Sequence, residues 1–200
     1  RNIRPTPPPN PLVSMPDYWR QEMGNGIEVI GTANAEVPLV NLRLVFAGGH
    51  LLESPDKYGV ASLTSQMMNE GTEQFTAEEF EIELDKLGSN ISVGSGNDTF
   101  TVSVSSLLRN LDETLVLLEE RLFRSAFTEE DLERLRQQQI ESLEANKEEP
   151  SGIAGNVYPK LIYGEDHAYA VSAAGTIPTL QDITLADIEA FARQNLVSQS

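Results

Sequence analysis

The sequence predicts an α+β fold in which an antiparallel sheet is covered by helices. Two stretches, Leu39 to Phe46 and Thr99 to Ser105, alternate apolar and polar residues with the period of a half-buried strand. Other segments place apolar residues three and four positions apart, the spacing of amphipathic helices. Strand pairs and helix pairs then alternate along the chain, an order that suits a sheet with helices on one side.

Pro5, Pro7, Pro8, Pro9, Pro11 and Pro16 crowd the opening stretch, where they block helix and favour extended polyproline geometry. Residues 1–16 therefore read as an interdomain linker, with Tyr18 and Trp19 anchoring its exit, and residues 17–200 as one lobe of a larger protein. Gly26 to Ile30 is expected to pair with Leu39 to Phe46, a strand that Gly48 and Gly49 end. Gly59 to Glu70 should be helical. So should Thr76 to Leu87, which opens on the capping box Thr76-Ala77-Glu78-Glu79 and closes at Gly88.

Ser89 to Gly96 and Thr99 to Ser105 predict a hairpin, with turn chemistry from Gly94, Ser95, Gly96, Asn97 and Asp98. Asn110 is placed as the cap of a helix carrying the stripe Leu111, Leu115, Leu118 and Leu122. Thr128 opens a long helix to about Asn146, and shorter helices fit Gly152 to Ile162 and Thr184 to Gln194.

A chain of 200 residues with 40% hydrophobic content can build one sizeable core. Its net charge of -17 disfavours nucleic acid and anionic membrane surfaces, which would meet like charge. No apolar run approaches the ~20 residues of a membrane span, so no membrane insertion is expected. With no cysteine there is no thiolate metal site and no cysteine nucleophile.

His50 and His167 are the only histidines, too few for the three or four ligands that zinc takes. Nothing like a nucleophile elbow surrounds Ser62 or Ser65. Gly94-Ser95-Gly96-Asn97 lacks the Lys-Ser or Lys-Thr of a phosphate loop and reads as a turn. Met67 and Met68 read as core packing.

The most informative segment runs from Gly59 through Val60, Ala61, Ser62, Leu63, Thr64, Ser65 and Gln66 to Gly71 and Thr72. It resembles the zinc helix of the pitrilysin/insulinase family of metallopeptidases, G-x-A-H-x-x-E-H-x-x-x-x-G-T. There, two His bind the metal and the Glu activates water. Here Ser62, Ser65 and Gln66 occupy those three positions. A serine hydroxyl and a glutamine carbonyl do not replace imidazole on zinc, and Ser65 cannot serve as a general base.

The family's third ligand is a Glu on a later helix. Its register falls at Gln138 or Gln139, with Glu141 and Glu144 close by. The likeness extends over Glu53 and Gly59, Leu87-Gly88, Asp98-Thr99-Phe100, the stretch from Tyr163 to Tyr169, the stretch from Gly175 to Leu180, and Ile183 to Phe191.

What this resemblance implies is the first lobe of a zinc-free half, itself not an enzyme and holding no cofactor. Zinc is expected in the catalytic half of the parent, a zinc metalloendopeptidase. The implied partners are that catalytic half and a peptide substrate. Active relatives pair peptide onto an edge strand, which corresponds here to Ser92, Val93, Gly94 and Ser95. Large bacterial two-half members imply a periplasmic or secreted setting. The competing reading is a scaffold or binding subunit of the same fold with no link to proteolysis.

Overall fold

The computed structural model describes residues 16–34, 36–165 and 167–197. The chain divides into two compact units at Val37 and Pro38. The Pro-rich stretch as far as residue 15 lies outside the described residues.

In the first unit, β1 (Tyr18–Glu22) pairs antiparallel with β2 (Glu28–Thr32). Trp19 sits opposite Gly31, and a Cβ on that glycine would overlap the indole ring. Tyr18 and Trp19 are thus strand residues of this hairpin.

The second unit holds β3 (Leu39–Ala47), α1 (Val60–Met67), α2 (Ala77–Leu87), β4 (Asn90–Ser95) and β5 (Thr99–Leu107). It continues through α3 (Leu111–Phe123), α4 (Glu129–Glu148), α5 (Pro150–Tyr163), α6 (Ile177–Asp182) and α7 (Leu185–Ala192). The three strands form an antiparallel sheet in the order β3-β5-β4, so that β5 is central. The predicted pairing of Gly26 to Ile30 with Leu39 to Phe46 is therefore corrected. Val40, Leu42, Leu44 and Phe46 of β3 face the core beside Ser106, Val104, Val102 and Phe100 of β5, a larger apolar surface than the short β2 offers.

The β4–β5 hairpin follows the expected sequence, but Gly94 and Ser95 belong to β4, so only Gly96, Asn97 and Asp98 make the turn. Phe100, Val102 and Val104 point to the helix-covered side and are buried, as are Ile91 and Val93. The other side of the sheet carries Asn41, Arg43, Thr101, Ser103 and Ser92, together with the exposed Leu39 and Val45. This polar-out, apolar-in alternation is that of a sheet covered on one side.

The helices complete the core with Leu63, Met67 and Met68 of α1 and its end, Phe80 and Leu84 of α2, and Leu132 of α4. The capping box at Thr76 and Glu79 is present, and Gly88 closes α2 in the left-handed region. Thr128 accepts from the Asp131 amide at the start of α4.

Asn110 does not cap α3 through its side chain. It ends a 3-10 turn at Leu108–Asn110 and donates instead to the Leu87 carbonyl, 2.7 Å away. The buried face of α3 is Thr114, Leu117, Leu118 and Arg121, while Leu115 faces outward. A helix not foreseen, α6, occupies part of the expected late loop, opened by a Thr176 and Thr179 capping box with Pro178 in its first turn.

Candidate functional site

Helix α1 starts at a crowded junction. Gly59 has φ +103, and a Cβ there would come within 2.8 Å of the Leu180 side chain and 3.0 Å of the Ala174 carbonyl. Gly175 faces it with φ +78, where a Cβ would overlap the Tyr58 carbonyl oxygen. Two left-handed glycines thus allow the 172–175 segment to lie against the first turn of α1.

Glu53 secures the same turn. Its carboxylate accepts from the Gly59 amide at 3.0 Å and the Ala61 amide at 2.7 Å, satisfying N–H groups that a helix start leaves unpaired. His50 Nδ1 lies 2.6 Å from Glu53 Oε2, the oxygen that also accepts from the Gly59 amide, and its Nε2 lies 2.8 Å from the Ala168 carbonyl oxygen.

A carbonyl can only accept, so Nε2 donates, and a carboxylate at Nδ1 is satisfied by a second donor. The geometry is that of a buried imidazolium. Burial pushes the His50 pKa down. The Glu53 hydrogen bond and charge and the carbonyls of Ala168 and Val171 outweigh it and hold the pKa above its usual value of 6.5. With both nitrogens engaged, His50 has no lone pair for a metal.

Over the next turn α1 presents two of its three motif positions, Ser62 and Gln66, toward α4. Ser62 donates to Gln139 Oε1 at 3.2 Å, and Gln66 Nε2 donates to the same oxygen at 2.5 Å. Gln66 Nε2 also lies 3.1 Å from Ser62 Oγ. Gln139 Nε2 donates to the Ala174 carbonyl at 2.6 Å, which ties α4 to the glycine junction. Spacing of four residues on α1 brings Ser62 and Gln66 onto one face, and α4 delivers Gln139, which is buried, between them.

Gln138, Glu141 and Glu144 are on the exposed side of α4. Ser65 is buried, donating to the Ser62 carbonyl at 2.8 Å and lying 3.4 Å from Ser95 Oγ. Among the described residues, its hydroxyl meets a carbonyl and another hydroxyl rather than a base.

The cluster is neutral and satisfies itself through amides and hydroxyls. It holds no imidazole, thiolate or carboxylate, the groups from which zinc sites are made. Among the described residues no group of three or more His, Cys, Asp or Glu is placed to hold a metal ion. His167 lies apart in an aromatic group with Tyr163 and Tyr169, at 5.3 and 5.2 Å between ring centroids, and its Nδ1 accepts from the Tyr169 amide.

The stretch Ser92 to Ser95 lies on β4, the strand at one edge of the sheet. Along an antiparallel strand, successive residues direct their backbone groups alternately to the neighbour and outward. Val93 turns outward, and there its N–H donates to Asn69 Oδ1 at 2.9 Å while its C=O accepts from Asn69 Nδ2 at 2.8 Å. Asn69 sits just past the C-terminus of α1 and also donates to the Ser65 carbonyl.

The next outward carbonyl, Ile91, accepts from Arg121 Nη1 at 2.7 Å. Arg121 is itself buried, with its guanidinium 4.1 Å from the centre of the Phe80 ring. Burial holds the Arg121 pKa below its usual value despite the neighbouring Glu81.

Sequence reasoning brought out the α1 positions and Gln139. It missed Asn69, Arg121 and the His50–Glu53 pair. Only the His-x-x-Glu spacing before a helix start offered a signal, since a bound pair at that spacing can cap the helix that follows.

A model of the insulinase family, peptidase family M16, matches residues 28–169. A non-peptidase homolog, YmxG of Helicobacter pylori, is 27% identical over 163 residues, or 82% of this chain and 38% of the relative. An uncharacterised zinc protease YmxG of Bacillus subtilis is 22% identical over 156 residues, with 78% of this chain and 38% of the relative covered. The chain thus spans about two-fifths of the length of these curated relatives.

Among solved structures, an inactive M16 peptidase domain from Pseudomonas fluorescens superposes with a TM-score of 0.82 at 28% identity. It covers 88% of this chain and 42% of that one. The periplasmic protease PqqL of Escherichia coli shares the fold, with a TM-score of 0.79 at 17% identity over 94% of this chain and 22% of its own. The chain belongs to the insulinase family, peptidase family M16, as a lobe of that family's non-catalytic kind.

Proposed function

We propose that this chain is the supporting lobe of a zinc peptidase, shaping the chamber and holding peptide while a partner half carries out zinc-dependent hydrolysis. One observation carries the reading. Ser62, Gln66 and Gln139, which the resemblance sets at the family's metal-ligand positions, meet and join α1 to α4 by hydrogen bonds. The frame of the peptidase lobe is kept while its chemistry is gone, which suits a part retained for shape and binding.

The peptide would run along β4, where Ser92, Val93, Gly94 and Ser95 form the sheet edge. Backbone pairing at such an edge requires no particular side chain, in keeping with a broad range of peptides. The zinc is assigned to the partner half, and the setting to the periplasm. PqqL, a periplasmic protease of the same fold, supports that setting. Among the described residues, no helix is long and apolar enough to cross a membrane.

Mixing the purified chain with the zinc-bearing half of its parent tests the proposal. The chain alone should not cleave a quenched fluorescent peptide, and adding it to the partner half should raise turnover about tenfold. Unchanged turnover on addition would favour the scaffold reading.

A further inference from the structure

The β4 edge is not an open row of backbone groups. At Val93 the Asn69 carboxamide donates one hydrogen bond and accepts another, the same pair that an incoming antiparallel strand would supply. The second hydrogen of its NH2 group goes to the Ser65 carbonyl at 2.8 Å, so both donors are used. Arg121 approaches the same oxygen, Asn69 Oδ1, at 3.4 Å while holding the Ile91 carbonyl at 2.7 Å.

Ser92 and Gly94 turn their backbone groups inward to β5 in this register. The two outward residues at the middle of the strand are thus already bonded by side chains from α3 and from the end of α1. A peptide entering here must displace Asn69 before it can pair.

We infer that Asn69 is a gate on the β4 edge, a side-chain mimic of a strand that sets how readily an extended peptide backbone is admitted. This inference rests on the reading of β4 as the peptide-binding edge. The gate is a competitor and not a catalyst. Swinging its carboxamide away costs the two bonds to Val93 and the one to Ser65. The incoming peptide restores those at Val93 and leaves the Ser65 carbonyl to solvent. Arg121, fixed over Phe80, stays in place and limits how far along the strand pairing can extend.

Wild-type chain, Asn69→Ala and Asn69→Asp would be titrated into a fluorescein-labelled ten-residue peptide of alternating Val and Ser with terminal Lys, read by anisotropy. Hydrogen exchange at the Val93 amide would be followed in parallel. Asn69→Asp keeps the acceptor for Val93 and Arg121 but loses the donor, so it guards against a fold lost in the alanine variant.

The expected result is about tenfold tighter binding by Asn69→Ala than by wild type, with Asn69→Asp between them. The Val93 amide should exchange faster in Asn69→Ala and become protected again when peptide is added. A peptide N-methylated at alternate residues should not bind. Equal affinity of wild type and both variants for the unmodified peptide would overturn the gate while leaving the peptide-binding edge intact. A Val93 amide set free in Asn69→Ala without any peptide binding would overturn both.

Discussion

His50 and Glu53 show how much of the site's support is decided by single residues. The imidazole sits between the Glu53 carboxylate and the Ala168 carbonyl, two acceptors that favour its protonated form in the folded state. Its pKa is raised above 6.5, and the sign of the linkage follows. The folded state binds the proton more tightly than the unfolded one, so the contribution to stability is complete below about pH 6.5. It is lost as the pH rises through the higher folded-state value.

Unfolding free energy should therefore fall over the neutral to mildly alkaline range, and His50→Gln should flatten that slope. Urea midpoints taken from pH 6 to 9 would show it, and a wild-type slope no steeper than the variant's would contradict it. At this scale the sequence singled out Ser62, Gln66 and Gln139, which the fold brings into contact, because residue type at fixed helical spacing is visible in a string. It did not reveal Asn69, whose role comes from the edge of a strand 24 residues away. Nor did it show Arg121, whose burial depends on Phe80 and on the β4 carbonyl it meets.

Among the elements, the strongly periodic ones were legible and the pairings between them were not. β3, α2, α4 and the β4–β5 hairpin carry their own patterns and caps. The partner of β3 does not follow from its pattern, since alternation says which face is buried but not against which strand it lies. Helix α6 does not stand out in the sequence because it is only six residues long, and its capping box and Pro178 are short-range signals that also suit a turn.

The glycines Gly59 and Gly175 were noticed in the sequence, but their reason is the contact between two segments far apart in the chain. Gly175→Ala should cost about 1–3 kcal/mol from the left-handed backbone alone. The added methyl would also collide with the Tyr58 carbonyl oxygen and push the 172–175 segment off α1. A denaturant titration would register the loss, and a midpoint unchanged from wild type would mean that the junction tolerates a side chain.

For the whole molecule, membership of the M16 family and the likeness to an inactive M16 domain fit together. The acidic balance of -17 suits a partner or peptide that is not itself acidic. If hydrogen bonds among Ser62, Gln66 and Gln139 stand where a metal cross-link would stand, then returning the ligands should return the metal. The fourfold variant Ser62→His, Ser65→Glu, Gln66→His and Gln139→Glu places two imidazoles and a carboxylate at residues already in mutual contact. The most direct measurement is calorimetric titration of zinc into the wild-type chain and this variant, with metal content checked after dialysis. The account predicts no stoichiometric zinc on the wild-type chain and one zinc per chain on the variant. Tight, stoichiometric zinc on the wild-type chain would contradict it.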